Sequence, residues 1–170
     1  MAAGLVHPDV AVVSRVLGGL GAGFSLGAAE VDNAEYGAVL SQVGRLSVRF
    51  RVGKPTPKKV GLFVTVWSRA PDGSTKPFTA EDTIDILLVS VREGSRFGVF
   101  AFPKAALVGQ GIVSVGGVGG KRGFRVYPPW SATANPQARQ SQRWQGDYFL
   151  DIGDGSAFDA RQARRLLAME

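Results

Sequence analysis

Arg45-Leu46-Ser47-Val48-Arg49-Phe50-Arg51-Val52 reads as a strand, because Leu46, Val48, Phe50 and Val52 alternate with Arg45, Ser47, Arg49 and Arg51. Successive strand side chains point to opposite faces, so one face is apolar and the other carries arginines. Val60 to Trp67 is β-branched and aromatic and reads as a second strand. The intervening Lys54-Pro55-Thr56-Pro57-Lys58-Lys59 holds two prolines and reads as a turn, so the two strands are expected to form a hairpin with a long tip. Ile84 to Val91 is almost continuously apolar, as suits a strand buried on both faces. Phe97 to Phe102 is a further strand, paired across the Glu93-Gly94-Ser95 turn.

Helical signals flank this block. Pro8-Asp9 opens a helix running through Leu17, and glycines 18, 19, 21 and 23 end it. The spacing of Tyr36, Val39 and Leu40 predicts a second short helix over Asp32 to Gln42. Ile112 to Val115 reads as a short strand, and Phe124 to Tyr127 as a strand stopped by Pro128-Pro129. Asn135-Pro136 is an N-cap followed by a first-turn proline, opening a helix expected to reach about Phe149. A terminal helix is expected over Ser156 to Ala168. Helices, then strands, then helices point to a mixed α+β (α/β) sandwich, in one domain spanning residues 1–170.

Composition narrows the chemistry. The absence of cysteine excludes disulfides, thiolate metal sites and cysteine nucleophiles, and the single histidine, His7, excludes a zinc site built on several histidines. No uninterrupted stretch of 18 apolar residues occurs, so no membrane insertion is expected. The N-terminus lacks the basic region of a secretory signal, and a cytoplasmic location is expected.

The net charge of +6 is unevenly distributed. Tyr36 to Pro71 contains no acid and seven cations: Arg45, Arg49, Arg51, Lys54, Lys58, Lys59 and Arg69. Phe97 to Gly146 contains no acid and six: Lys104, Lys121, Arg122, Arg125, Arg139 and Arg143. Trp67, Tyr127, Trp130 and Trp144 fall among them. Cations interleaved with aromatic platforms suit phosphates and stacked bases. The same aromatics would equally serve as core residues on a strand or an amphipathic helix.

Two glycine-rich stretches fail nucleotide-loop criteria. Gly19 to Gly23 follows a helical rather than a strand pattern. Before Gly120-Lys121, Val115 stands where a P-loop needs its first glycine, and Arg122 stands where Ser or Thr would hold Mg²⁺. The run Gly116 to Gly120 is left as a mobile loop or a backbone-amide nest. Asp82, Asp85 and Lys104 at strand ends, with Glu35 from the second helix, are the candidate catalytic set for Mg²⁺-assisted phosphoryl chemistry. Their other reading is local capping of turns and strand ends.

Several separate motifs carry a family resemblance. Arg49 to Arg69 (RFRVGKPTPKKVGLFVTVWSR) closely resembles the signature segment of the MepB family. Pro77-Phe78 with Asp82 and Asp85, then Gly98 to Lys104, Gly120 to Trp130 and Gln140 to Phe149 continue the likeness in order. The likeness covers roughly residues 30 to 150. The family is bacterial and takes its name from an operon with a multidrug efflux pump. The resemblance implies a three-layer, restriction-endonuclease-like sandwich with a central mixed sheet flanked by helices. That fold group uses an acid on one central strand and an acid-x-lysine on the next. Carried over, Asp85 is the first acid and Lys104 the lysine, while Phe102 occupies the position of the missing second acid.

The expectation is therefore a nucleic-acid-binding protein without strong catalysis. Arg49, Arg51, Lys54, Lys58, Lys59, Lys121, Arg122, Arg125 and Arg143 would grip phosphates, and Tyr127, Trp130 or Trp144 would stack on bases. One alternative is a degenerate metal-dependent nuclease using Glu35, Asp82, Asp85 and Lys104. The other is an accessory protein that binds planar cationic drugs. No cofactor is expected, and Mg²⁺ enters only under the nuclease alternative.

Overall fold

The computed structural model describes residues 6–21, 24–153 and 158–168. The expected helix stop at Gly23 and the start of the expected terminal helix at Ser156 lie outside them. Four α-helices occur among the described residues: α1 (Pro8–Gly18), α2 (Lys104–Gly109), α3 (Pro136–Gly146) and α4 (Ala160–Leu166). The strands up to the first crossover are β1 (Phe24–Ala29), β2 (Val39–Val43), β3 (Leu46–Val52), β4 (Lys54–Thr56) and β5 (Lys59–Thr65). They are followed by β6 (Trp67–Arg69), β7 (Thr75–Pro77), β8 (Ile86–Glu93), β9 (Arg96–Pro103), β10 (Gly123–Val126) and β11 (Phe149–Asp151).

The central sheet has the order β1-β2-β3-β8-β9-β11 and is mixed: β3 and β8 are parallel, and the remaining neighbours are antiparallel. A second sheet, β10-β5-β4, lies over it, and β6-β7 form a separate ribbon. One face of the central sheet presents Val48, Phe50, Val52, Ile86, Leu88, Val99, Ala101 and Leu150 to Val10, Val13 and Leu17 of α1 and to Ala163 and Leu166 of α4. The other face presents Leu87, Val89, Val91, Phe100 and Phe102 to Leu62 and Val64 of β5, Phe124 and Val126 of β10, and Leu107 of α2. The protein is thus a mixed α+β sandwich of three layers. One outer layer is helical; the other combines the second sheet with α2 and α3.

Residues Ile86 to Val91 are buried without exception, as the apolar run required. Three local expectations are corrected. The helix over Asp32 to Gln42 is absent: one 3₁₀ turn (Ala34–Tyr36) ends at Gly37, and β2 follows. Gly37 has φ +59°, and a Cβ there would lie 2.7 Å from Val52, so the chain must reverse before it can wind further. Pairing along β3 then holds Val39, Ser41 and Val43 inward at strand period, so tertiary contact overrides the local spacing. The 45–52/60–67 hairpin does not form either, because both edges of β3 are taken by β2 and β8. The chain leaves the central sheet at Gly53, whose N–H donates to Ser90, and β4 pairs with β5 instead. Finally, α3 ends at Gly146, and Phe149 belongs to β11.

Other signals are used as capping devices. His7 caps α1 by accepting the Asp9 N–H at 3.1 Å through Nδ1. The glycine run forms a tight turn, closed by reciprocal 3.0 Å backbone bonds between Val115 and Val118 with Gly116 and Gly117 at positive φ. Thr79 and Ser114 form an isolated bridge in place of the strand expected at Ile112 to Val115.

Phe102 is fully buried and meets the rings of Phe100, Phe124, Trp144 and Tyr148 at 5.2 to 6.0 Å. Phe102→Ala is expected to lower unfolding free energy by about 3–5 kcal/mol, measured by urea denaturation.

Candidate functional site

The two acid-free stretches meet in one groove. Lys58 comes from the turn between β4 and β5 and Lys59 opens β5, while Lys121 and Arg125 come from the approach to β10 and from β10 itself. The groove runs between the second sheet and α3, holds about 690 Å³, and has no carboxylate among its lining residues. Trp144 and Tyr127 line it, and Asn135, Gln137, Gln140 and Ser141 of the α3 side add amides and a hydroxyl.

The cations differ in how they are held. Lys58, Lys59 and Lys121 are exposed, and long flexible stems let their ammonium groups follow a ligand. Arg125 is half-buried and crosses β5: its Nη1 donates to Val60 O at 3.2 Å and to Gly61 O at 3.4 Å, and its Nη2 donates to Thr56 Oγ1. It is a fixed positive charge. The aromatic walls are fixed too. Trp144 leans on Phe102 with ring centroids 5.3 Å apart, which leaves it half-buried. Tyr127 lies against Gly61, where a Cβ would come within 2.8 Å of the ring; with φ +86°, this position requires glycine on both counts.

A side chain that the sequence did not single out holds the groove together. Gln145 is 1% exposed. Its Nε2 donates to Arg125 O at 2.9 Å, and its Oε1 accepts the Tyr127 N–H at 2.7 Å. One group belongs to β10 and the other to the residue that follows it, so the amide satisfies the open edge as a neighbouring strand would. One turn earlier, Gln142 Nε2 donates to Pro128 O and Ser131 O, both at 2.9 Å. Only the i, i+3 spacing of the two glutamines, on a helix otherwise poor in apolar residues, hinted that one helix face is aimed at backbone.

Other predicted contacts lie elsewhere. Arg51 is fully buried and cannot reach an external phosphate, which corrects its assignment. It pairs with Glu30, and its Nε donates to Thr65 O at 3.1 Å, tying β3 to β5. Burial pulls its guanidinium below the usual arginine range, and Glu30 opposes that shift. Arg49 shares Glu30 at 3.3 Å, and both guanidinium groups lie over the Phe78 ring, at 4.7 and 5.5 Å. Lys54 sits over Tyr36 at 4.7 Å. Arg122 donates to Thr75 Oγ1 and O. Arg143 is exposed on α3 outside the groove lining. Trp130 is not a groove platform: its Nε1 donates to Glu93 at 3.1 Å, and its ring packs edge-on against Phe149.

The candidate catalytic set is not assembled. Asp85 Oδ2 accepts the Ser47 N–H at 2.7 Å, at the start of β3. Asp82 Oδ2 accepts the Thr79 N–H at 2.9 Å. Lys104 Nζ donates to Ala80 O and Asp82 O, at 3.0 and 2.8 Å. Glu35 lies near the opposite end of β3, since Val39 pairs with Phe50. No group of three or more His, Cys, Asp or Glu side chains suited to a metal occurs among the described residues. With Phe102 in the core, and Asp82, Asp85 and Lys104 each engaged by backbone groups, these residues do not fit a Mg²⁺ centre.

A family model described as MepB-like matches residues 30–151. A solved structure, the crystal structure of MepB, aligns with a TM-score of 0.74 at 30% identity, over 86% of this chain and 97% of that one. No curated protein matches the chain.

Two substitutions test the geometry. Gln145→Leu leaves Arg125 O and the Tyr127 N–H orphaned, at a cost of about 1–3 kcal/mol each, and the Tyr127 amide should lose protection in hydrogen exchange. Glu30→Ala strands a buried guanidinium and is expected to cost about 3–5 kcal/mol in a urea titration.

Proposed function

The chain belongs to the MepB-like family, and on the groove between its second sheet and α3 we propose that it is a cytoplasmic nucleic-acid-binding protein rather than a strong catalyst. The observation that carries this reading is the convergence of Lys58, Lys59, Lys121 and Arg125 in one groove whose lining holds no acid. A polyanion gains from every such cation through counterion release.

Lys58, Lys59 and Lys121 take phosphates as adaptable point charges, and Arg125 serves as a fixed reference charge. Trp144 and Tyr127 offer apolar ring surface in the same groove, which favours unpaired bases over a closed duplex. The amides and hydroxyl of Gln137, Gln140 and Ser141 supply hydrogen bonds to base edges or sugars. The cationic walls weigh against planar cationic ligands at this groove, and the engaged side chains of Asp82, Asp85 and Lys104 weigh against cleavage.

The test is fluorescence anisotropy of labelled single-stranded and duplex oligonucleotides across a salt series, with Mg²⁺ and with EDTA, and with the products run on a gel. Tighter single-strand binding that weakens with salt is expected, with intact oligonucleotide in both buffers. Lys58→Ser/Lys59→Ser/Lys121→Ser should make the log–log salt slope shallower by roughly 2, at about 0.7 for each phosphate that a lysine no longer neutralises. Salt-insensitive binding, or a slope unchanged in the triple variant, would overturn the assignment. Mg²⁺-dependent products would restore a nuclease reading.

A further inference from the structure

The ion cluster at β3 is unbalanced. Glu30 is a single carboxylate shared by two guanidinium groups, those of Arg49 and Arg51. Phe78 covers both cations but adds no negative charge. Arg51 spends its donors on Glu30, Phe50 O and Thr65 O. Arg49 does not: among the described residues its guanidinium makes one hydrogen bond, to Glu30 at 3.3 Å, and its Nε is buried without a partner. A mostly buried cation with an excess positive charge and unused donors calls for an anion.

Space for one is present. Arg49 lines a cavity of about 290 Å³ over the face of the central sheet formed by β1, β2 and β3. Ser25, Gln42, Ser47 and Thr83 line it as well, and no carboxylate does. Asp85 is nearby in sequence, but it is engaged by the Ser47 N–H and lies outside the lining. The cavity shares no lining residue with the cationic groove.

We propose that this cavity is a second site, in which Arg49 binds the oxyanion of a small ligand, a phosphate or a carboxylate. Arg49 keeps guanidinium donors that Glu30 does not take, and a charge-assisted hydrogen bond to an oxyanion would use them. Ser25, Ser47 and Thr83 supply hydroxyls, and Gln42 an amide, around it. Ligand binding balances the charge that Glu30 leaves over, so occupancy also stabilises the junction between the central sheet and β5.

The experiment is isothermal titration of the full chain with inorganic phosphate and, separately, acetate, at ionic strength held constant with chloride. The Arg49 Nε–H resonance is followed by NMR in parallel. Saturable binding with a shift of that resonance is expected for at least one of the two anions, and which one binds separates a phosphate from a carboxylate ligand. Arg49→Gln should weaken binding roughly tenfold or more, and Lys58→Ser/Lys59→Ser should leave it unchanged. Should Arg49→Gln fail to fold, Thr83→Val, a change on the exposed rim, should weaken binding roughly threefold while the Nε–H still shifts. The proposal is overturned by an absence of saturable binding for both anions, by undiminished binding in Arg49→Gln or Thr83→Val, or by loss in the lysine variant alone.

Discussion

Strands β8 and β9 are apolar on both faces, and this constraint organises the rest of the molecule. Two buried faces need two covering layers. Helices α1 and α4 cover one face, and the β10-β5-β4 sheet with α2 and α3 covers the other. Phe100 and Phe102 stack at 5.2 Å on the second side and give Trp144 and Phe124 their footing. The groove is therefore a by-product of core packing: the helix that covers Phe102 also forms its wall.

A covering sheet brings an edge problem, and Gln145 solves it from α3. An amide side chain presents one donor and one acceptor, which suits the pair of backbone groups that an edge strand offers. By clamping Arg125 O and Tyr127 N, it sets the distance between helix and sheet, and thus the width of the groove. The same contact pins Arg125 within β10 and Tyr127 directly beyond its end. Lys58, Lys59 and Lys121 are exposed along the groove.

Position 102 links fold and chemistry. The family resemblance read from the sequence implies a fold group in which a nuclease would carry an acid at that place on the strand. Here it carries a ring at the centre of an aromatic cluster, and the neighbouring Lys104 is tied to two carbonyls. The end of the central sheet where a catalytic centre would lie is thus used for turns and strand caps. The cationic groove shares none of these residues.

The strand period of Leu46 to Val52, the two-sided burial of Ile86 to Val91, the caps at Pro8 and Asn135, and the acid-free charge stretches are local properties, and they were legible in the residues themselves. So was the family likeness, since its motifs are contiguous. Partners far along the chain decided the rest. Residues 39–43 became a strand because β3 offered an edge to pair with, although their spacing also fits a helix. Arg49 and Arg51 share the alternating pattern that marks a cationic face, yet Glu30 and Phe78 meet both and Thr65 holds Arg51, while Lys58 and Lys59 stay exposed. By itself the sequence determined which residues are charged and which segments alternate. Tertiary structure decided which charges face water, because the cost of burying a cation depends on whether a counter-charge from another part of the chain meets it there.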